Sequence, residues 1–187
     1  MHDRVANLLG ATALNVADLA LSAIRQVADV GDSASAALVT LAEHPRLSVT
    51  GLGGRIGLSQ PAAARMVDGL IERGLVTRQP GSGRTVEIQL TRSGRRTAAK
   101  LLNARSQALG ELIKDMDAHE LETLARLLGK VLYAVHPCIE RTSTTPPDQI
   151  GILVCRLCDR AACRQHGEPC PVTEAQNADA RAEDRHG

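Results

Sequence analysis

Between Ser48 and Thr91 the chain places stop and start signals so closely that few folds can accommodate them. Ser48 is suited to cap a short helix over residues 49–56, and Gly57 to end it. Ser59 opens a second helix, with Pro61 in its first turn where the missing amide costs nothing, and Gly74 closes it. Met66, Val67, Leu70 and Ile71 recur at the spacing of one inward face. Two β-rich runs follow, residues 75–78 and 85–91, with Pro80, Gly81, Ser82 and Gly83 between them as a hairpin tip. In the second run Val86, Ile88 and Leu90 alternate with Glu87 and Gln89, as a half-buried strand requires.

The segments on either side are helical. Val5, Leu8, Leu9, Val16, Leu19, Ile24 and Val27 mark a long amphipathic helix ending near Gly31, and Asp32 is placed to cap the next one, which stops before Pro45. After the hairpin, Ala98, Leu101, Leu102, Leu109, Leu112 and Met116 trace another long helix. A last helix starts from the capping-box pair Asp117 and Glu120 and is expected to stop at His136-Pro137. The expected fold is therefore mainly α with a small β-hairpin wing: a winged helix-turn-helix at about residues 48–91 inside a helical unit spanning 1–135. Residues 136–149, with Pro146-Pro147, read as a linker, 150–172 as a cysteine-rich extension, and 173–187 as a polar disordered tail.

Charge and composition suggest the partner. Net charge is only +1, but between Ser59 and Arg96 seven Arg (65, 73, 78, 84, 92, 95 and 96) face three carboxylates, Asp68, Glu72 and Glu87. Such a basic patch is an electrostatic footprint for phosphate. The chain has no Trp, no Phe and one Tyr, so it lacks the rings on which single-stranded readers stack bases. Double-stranded DNA is the better match. In this layout the second helix enters the major groove, which nominates Ser59, Gln60, Ala63 and Arg65 for base edges and backbone, with Arg78 and Arg84 on the wing.

The stretch GLSQPAAARMVDGLIERGLVTR, together with the strand end LTRSG (Leu90, Thr91, Gly94), resembles the MarR family of bacterial regulators. The resemblance extends from Val5 to about Val135. It implies a homodimer held together by the first and last two helices, a palindromic operator, and repression relieved by a signal. Two departures stand out. The family's wing-tip Asp, which orients an Arg two residues later, is replaced by Ser82, while Arg84 is retained. The first helix of the motif also contains Gly51, Gly53 and Gly54, each costing roughly 1 kcal/mol relative to Ala, so a loosely formed helix is expected.

Cys155, Cys158, Cys163 and Cys170 crowd one short segment. Thiolates at this spacing suit a metal. Structural zinc sites commonly use two CxxC knuckles, and only one, Cys155-x2-Cys158, is present. Four thiolates in a compact loop better suit an iron–sulfur cluster, [2Fe-2S] or [4Fe-4S], with zinc as the alternative and a metal-free thiol–disulfide switch also open. His166 could replace a ligand, and Cys138 reads as a partly buried thiol.

The expected function is a cytoplasmic transcriptional regulator whose operator affinity the cluster controls in response to redox state, oxygen or iron. The alternative is a zinc-stapled regulator answering to a small molecule. An enzyme using the CxxC as a redox dithiol would need a thioredoxin-like βαβ context, and none is legible. No apolar run of 18 residues is evident, so no membrane span is expected.

Overall fold

The computed structural model describes residues 1–81, 85–142, 157–163, 165–167, 169–175 and 177, with backbone alone at 136, 137, 139–142 and 166. Its elements are α1 (His2–Val27), α2 (Asp32–Glu43), α3 (Val49–Ile56), α4 (Gln60–Glu72), β1 (Val76–Pro80), β2 (Val86–Leu90), α5 (Arg92–Ile113), α6 (Ala118–Thr142) and a short α7 (Arg160–Cys163).

The sequence signals act locally much as their chemistry predicts. Ser48 Oγ accepts the Gly51 amide at 3.0 Å, and Gly57 leaves α3 in the left-handed region at φ 74°. Asp117 and Glu120 exchange reciprocal bonds at the start of α6, each side chain accepting the other's amide at 2.9–3.0 Å. Asp32 differs: Gly31 occupies the cap position, and the Asp32 carboxylate turns back to accept Arg25 Nε at 2.8 Å, tying α1 to α2. Pairing with a guanidinium outcompetes capping here, and it holds the Asp32 carboxyl below its ordinary range. Ser59 is the cap residue of α4, but its hydroxyl makes no capping bond.

The core is aliphatic. Ile24, Leu38, Leu41, Leu52, Val67, Leu70, Val76, Ile88 and Leu101 are almost wholly buried, drawing α1 through α5 and the hairpin into one cluster. β1 and β2 pair antiparallel from Val76 opposite Leu90 to Pro80 opposite Val86, and Leu47 adds a bridge to Ile88. Val86 breaks the expected alternation by standing exposed, because it lies at the outer end of the hairpin beyond the core.

Gly53 explains one of the three glycines in α3. A Cβ there would lie 2.8 Å from Ala63 Cβ and 3.2 Å from the Leu58 carbonyl oxygen, so α3 and α4 cross at a separation only glycine permits. The glycine's helix-propensity penalty is thus offset by packing. Gly94 plays a similar part at the start of α5, where a Cβ would collide with the Leu75 carbonyl oxygen.

The last helix departs from expectation in two ways. First, α6 continues past Pro137 to Thr142, so residues 136–142 are helix and not linker. Pro137 forfeits one bond, to the Tyr133 carbonyl, and Tyr133 is exposed, so water can serve that oxygen. Second, among the described residues α6 joins none of the substantial contacts between elements. Leu121, Leu127, Leu128, Leu132 and Tyr133 on it stay exposed, as do Val5, Leu8, Leu9, Leu14 and Leu19 on α1. The apolar content of α1 is also enough, by length and composition, for a membrane-crossing helix, contrary to the reading that no such run exists.

Beyond α6, residues 171–175 are helical, with Val172 and Ala175 buried, so the expected tail is ordered at its start. Packing overrides polar composition there.

The crossing of α3 and α4 gives paired expectations. Gly53→Ala should destabilise the protein by about 1–3 kcal/mol through overpacking. Gly69→Ala, in α4 with open space around it, should instead stabilise it by up to about 1 kcal/mol. Urea midpoints of the two variants that move in the same direction would contradict the packing account.

Candidate nucleic-acid interface and cysteine segment

The buried positions of α4, Ala63, Val67 and Leu70, fix which side of the helix faces outward. Ser59, Gln60, Pro61, Arg65 and Asp68 lie on the exposed side. Ser59, Gln60 and Arg65 therefore stand where a duplex could reach them. Ala63 does not: it is 0% exposed against Gly53, so its nomination for base contact is withdrawn. The three-to-four spacing from Val67 and Leu70 already placed Ala63 inside, and it likewise marks Pro61 and Asp68, which were not nominated, as outward.

Several arginines of the basic patch are already engaged. Arg78 Nη2 bonds Asp68 Oδ1 at 2.7 Å, fastening the hairpin to α4. Arg73 bonds the Asp29 backbone carbonyl. Arg95 donates to the Leu90 carbonyl at 2.9 Å. Arg65, Arg92 and Arg96 are exposed and enter no ion pair among the described residues. Ser82, Gly83 and Arg84, and with them the wing-tip contact, lie outside the described residues. Glu87 reaches beneath Gly81 and lies 4.0 Å from Arg46, a basic side chain the count from Ser59 onward had left out.

Thr91 links the reading half to α5. Its hydroxyl donates to the Gly74 carbonyl at 2.8 Å and accepts the Gly94 amide at 3.0 Å. Its amide bonds the Leu75 carbonyl at 3.0 Å. The end of α4, the start of the hairpin and the first turn of α5 thus meet at one residue. Between α2, β2 and α5 lies a cleft of about 330 Å³, lined by Leu41, Pro45, Gln89, Leu90, Arg95 and Leu102 among others.

Residues 33–84 match the model of the MarR family. This winged-helix region resembles the MarR family. A MarR family protein from Bacillus stearothermophilus is similar at 22% identity and TM-score 0.63, covering 69% of this chain and 91% of its own. The reduced form of MarR from E. coli is similar at 25% identity and TM-score 0.56, covering 68% and 95%. MepR, a transcription regulator of the Staphylococcus aureus multidrug efflux pump MepA, is similar at 15% identity and TM-score 0.57, covering 72% and 98%. The fold is that of MarR family transcriptional regulators, mostly helical with a two-stranded wing. The family match ends at residue 84, well short of the cysteines.

The cysteine segment packs onto this MarR-type body. Leu157 packs against the main core cluster, and Pro171 Cγ lies 3.7 Å from where a Cβ on Gly129 of α6 would be. Asp159 caps α7 by accepting the Ala162 amide at 3.0 Å. Cys158, Cys163 and Cys170 are half-buried, while Cys155 lies outside the described residues. Cys170 precedes the helical residues 171–175. Burial pushes its thiol up, but bonds from the Thr173 amide and hydroxyl, the Val172 amide and the Cys163 thiol outweigh that and hold it below the ordinary thiol range. Cys163 and Cys170 are therefore in contact. Among the described residues no three His, Cys, Asp or Glu side chains form a ready metal-holding group. Cys138 is exposed and not partly buried, because α6 runs on through Pro137 and carries it on an open surface. The His166 side chain lies outside the description.

His44, at the end of α2, meets Arg55 of α3. Arg55 Nη1 lies 3.3 Å from His44 Nε2. Burial, then the charges of Arg55 and Arg160, push the His44 imidazolium down.

In metal-free, reduced protein, iodoacetamide should alkylate Cys170 with a half-maximal rate at a pH below the ordinary thiol value of about 8.5. Thr173→Val removes one stabilising bond to the thiolate, so the midpoint should rise. Site-resolved mass spectrometry showing no rise would mean that Thr173 does not support the thiolate.

Proposed function

We infer that this chain is a homodimeric, DNA-binding transcriptional regulator of the repressor kind, and that Cys155, Cys158, Cys163 and Cys170 hold an iron–sulfur cluster that sets its affinity for a palindromic operator. The observation that carries this reading is the docking of the cysteine segment on the reader. Leu157, adjacent to Cys158, reaches the core that also positions α4. Cys163 and Cys170 already meet, so two of the four sulfur ligands need little movement. Cys158 would complete the set together with Cys155. A bound cluster would supply sensitivity to oxygen, redox state or iron supply.

The chain's own residues then transmit the change. With the four thiolates gathered, Leu157 stays in the core and Pro171 stays against α6. With them released, the segment loses its anchor, and both the reader's core and the α6 surface are altered. Half-sites one turn apart make operator affinity sensitive to the spacing of the two recognition helices.

Dimerisation is supported by the exposed apolar faces of α1 (Val5, Leu8, Leu9, Leu19) and α6 (Leu121, Leu127, Leu128, Leu132). A second copy of the chain covering them also accounts for the apolar character of α1 without a membrane, in keeping with a cytoplasmic regulator and not an enzyme. The cleft between α2, β2 and α5 favours a second reading, in which zinc merely staples the cysteines and a small molecule in the cleft is the signal.

Two results test the reading. Protein purified without oxygen should be brown and contain iron and sulfide, and Cys163→Ser should lose both. Colourless protein with one zinc per chain would select the second reading. Separately, Arg65→Ala and Arg84→Ala should each weaken duplex binding, and each should lower the slope of log affinity against log salt by about 1 for one lost phosphate contact. A slope unchanged in both variants would remove these arginines from the backbone interface.

A further inference from the structure

Arg55 Nη1 of α3 stands 3.3 Å from Nε2 of His44, the residue that ends α2. A guanidinium carries donors only, so this contact is a hydrogen bond when Nε2 keeps its lone pair, with the ring neutral and its proton on Nδ1. Both side chains are half-buried. The charges that act on the ring are positive, from Arg55 and from Arg160 of α7. Glu43 and Arg46, its charged neighbours in sequence, are exposed, and Arg46 lies 4.0 Å from Glu87. Among the described residues no carboxylate pairs with Arg55. Protonating His44 therefore removes the acceptor and sets two cations against each other where water screens them poorly. α3 is poorly equipped to absorb that. It has eight residues, and its three glycines lower its intrinsic stability.

We propose that the His44–Arg55 contact is an acid-sensitive latch: neutral His44 ties the end of α2 to α3, and protonated His44 lets α3 go. The direction follows from which form the folded chain favours. Burial, then the charges of Arg55 and Arg160, hold the His44 imidazolium below its ordinary range. The stabilisation is therefore complete above the ordinary histidine value of about 6.5 and is lost as pH falls below it. The latch is closed at neutral pH and opens in acid. α3 packs on α4 through Gly53 and Ala63, and the first helix of a helix-turn-helix crosses the DNA backbone. Opening the latch thus weakens duplex binding. That consequence rests on the regulator reading, whereas the latch itself does not. Neither requires the cysteines to hold a metal.

The test uses the full-length protein. The His44 ring is titrated by nuclear magnetic resonance. Hydrogen exchange gives the protection of the α3 amides, corrected for the intrinsic pH dependence of exchange, at about pH 7.5 and about pH 5.5, on either side of the ordinary histidine value. Duplex affinity is measured at the same two pH values and fixed salt. The variants are His44→Gln, which keeps an acceptor but cannot titrate, and Arg55→Gln, which removes the opposing charge. The wild-type ring should titrate below the ordinary value, and Arg55→Gln should raise its midpoint. Protection of α3 should fall roughly fivefold or more in acid in the wild type, and less than about twofold in His44→Gln. Duplex affinity should follow the same pattern. Should His44→Gln fail to fold, the ring titrations of wild type and Arg55→Gln still decide. The proposal is overturned if the ring titrates at or above the ordinary value, if Arg55→Gln leaves the midpoint unmoved, or if α3 protection changes equally in wild type and His44→Gln. A latch that opens in a protein binding no duplex at either pH would sink the regulator reading and leave the latch standing. Duplex affinity that holds constant while α3 loosens would overturn the latch's coupling to DNA.

Discussion

The contact on which this architecture turns is the joint at Thr91. Its hydroxyl and amide gather the Gly74 carbonyl, the Leu75 carbonyl and the Gly94 amide, so three elements end or begin within one hydrogen-bonded knot. Gly94 must lack a side chain for the Leu75 carbonyl to approach. The joint sets the hairpin and the recognition helix at a fixed angle to α5, and α5 packs on α1, whose outer face is apolar and open. If two copies meet along those helices as proposed, the Thr91 joint is the hydrogen-bonded connection between their interface and α4.

A second constraint works inside the reader. α3 and α4 touch through Gly53 and Ala63, and the closeness of that crossing buries Ala63 while Gln60 and Arg65 stay exposed. The Arg78–Asp68 pair then fastens the wing to the same helix. Exposed ion pairs of this kind contribute little stability, at most about 1 kcal/mol. Its role is to tie the wing to α4.

Much of this was legible in the sequence, because caps and periodicity are local. Ser48, Gly57 and the Asp117–Glu120 box act within one helical turn, and their outcomes matched their chemistry. Misreadings arose where a distant partner decided the outcome. Asp32 was claimed by Arg25, Ala63 was covered by Gly53, and three of the seven arginines were taken up by Asp68, the Asp29 carbonyl and the Leu90 carbonyl. Pro137 did not stop α6, although an interior proline removes one helix bond and crowds the carbonyl four residues before it. The cysteine spacing announced a ligand set, but spacing cannot say where the segment rests. Its seat against α6 and the core depends on contacts made across most of the chain.

The central claim is that the state of the cysteine segment governs the DNA-binding half. The most direct measurement is the affinity of one operator-containing duplex for the same protein preparation, first loaded anaerobically and then stripped of iron and kept reduced, at fixed salt. Coupling through Leu157, Pro171 and the dimer helices predicts affinities that differ by roughly 30–150-fold, equivalent to about 2–3 kcal/mol of allosteric coupling. Equal affinities in the two states, with the cluster demonstrably present in one and absent from the other, would contradict it.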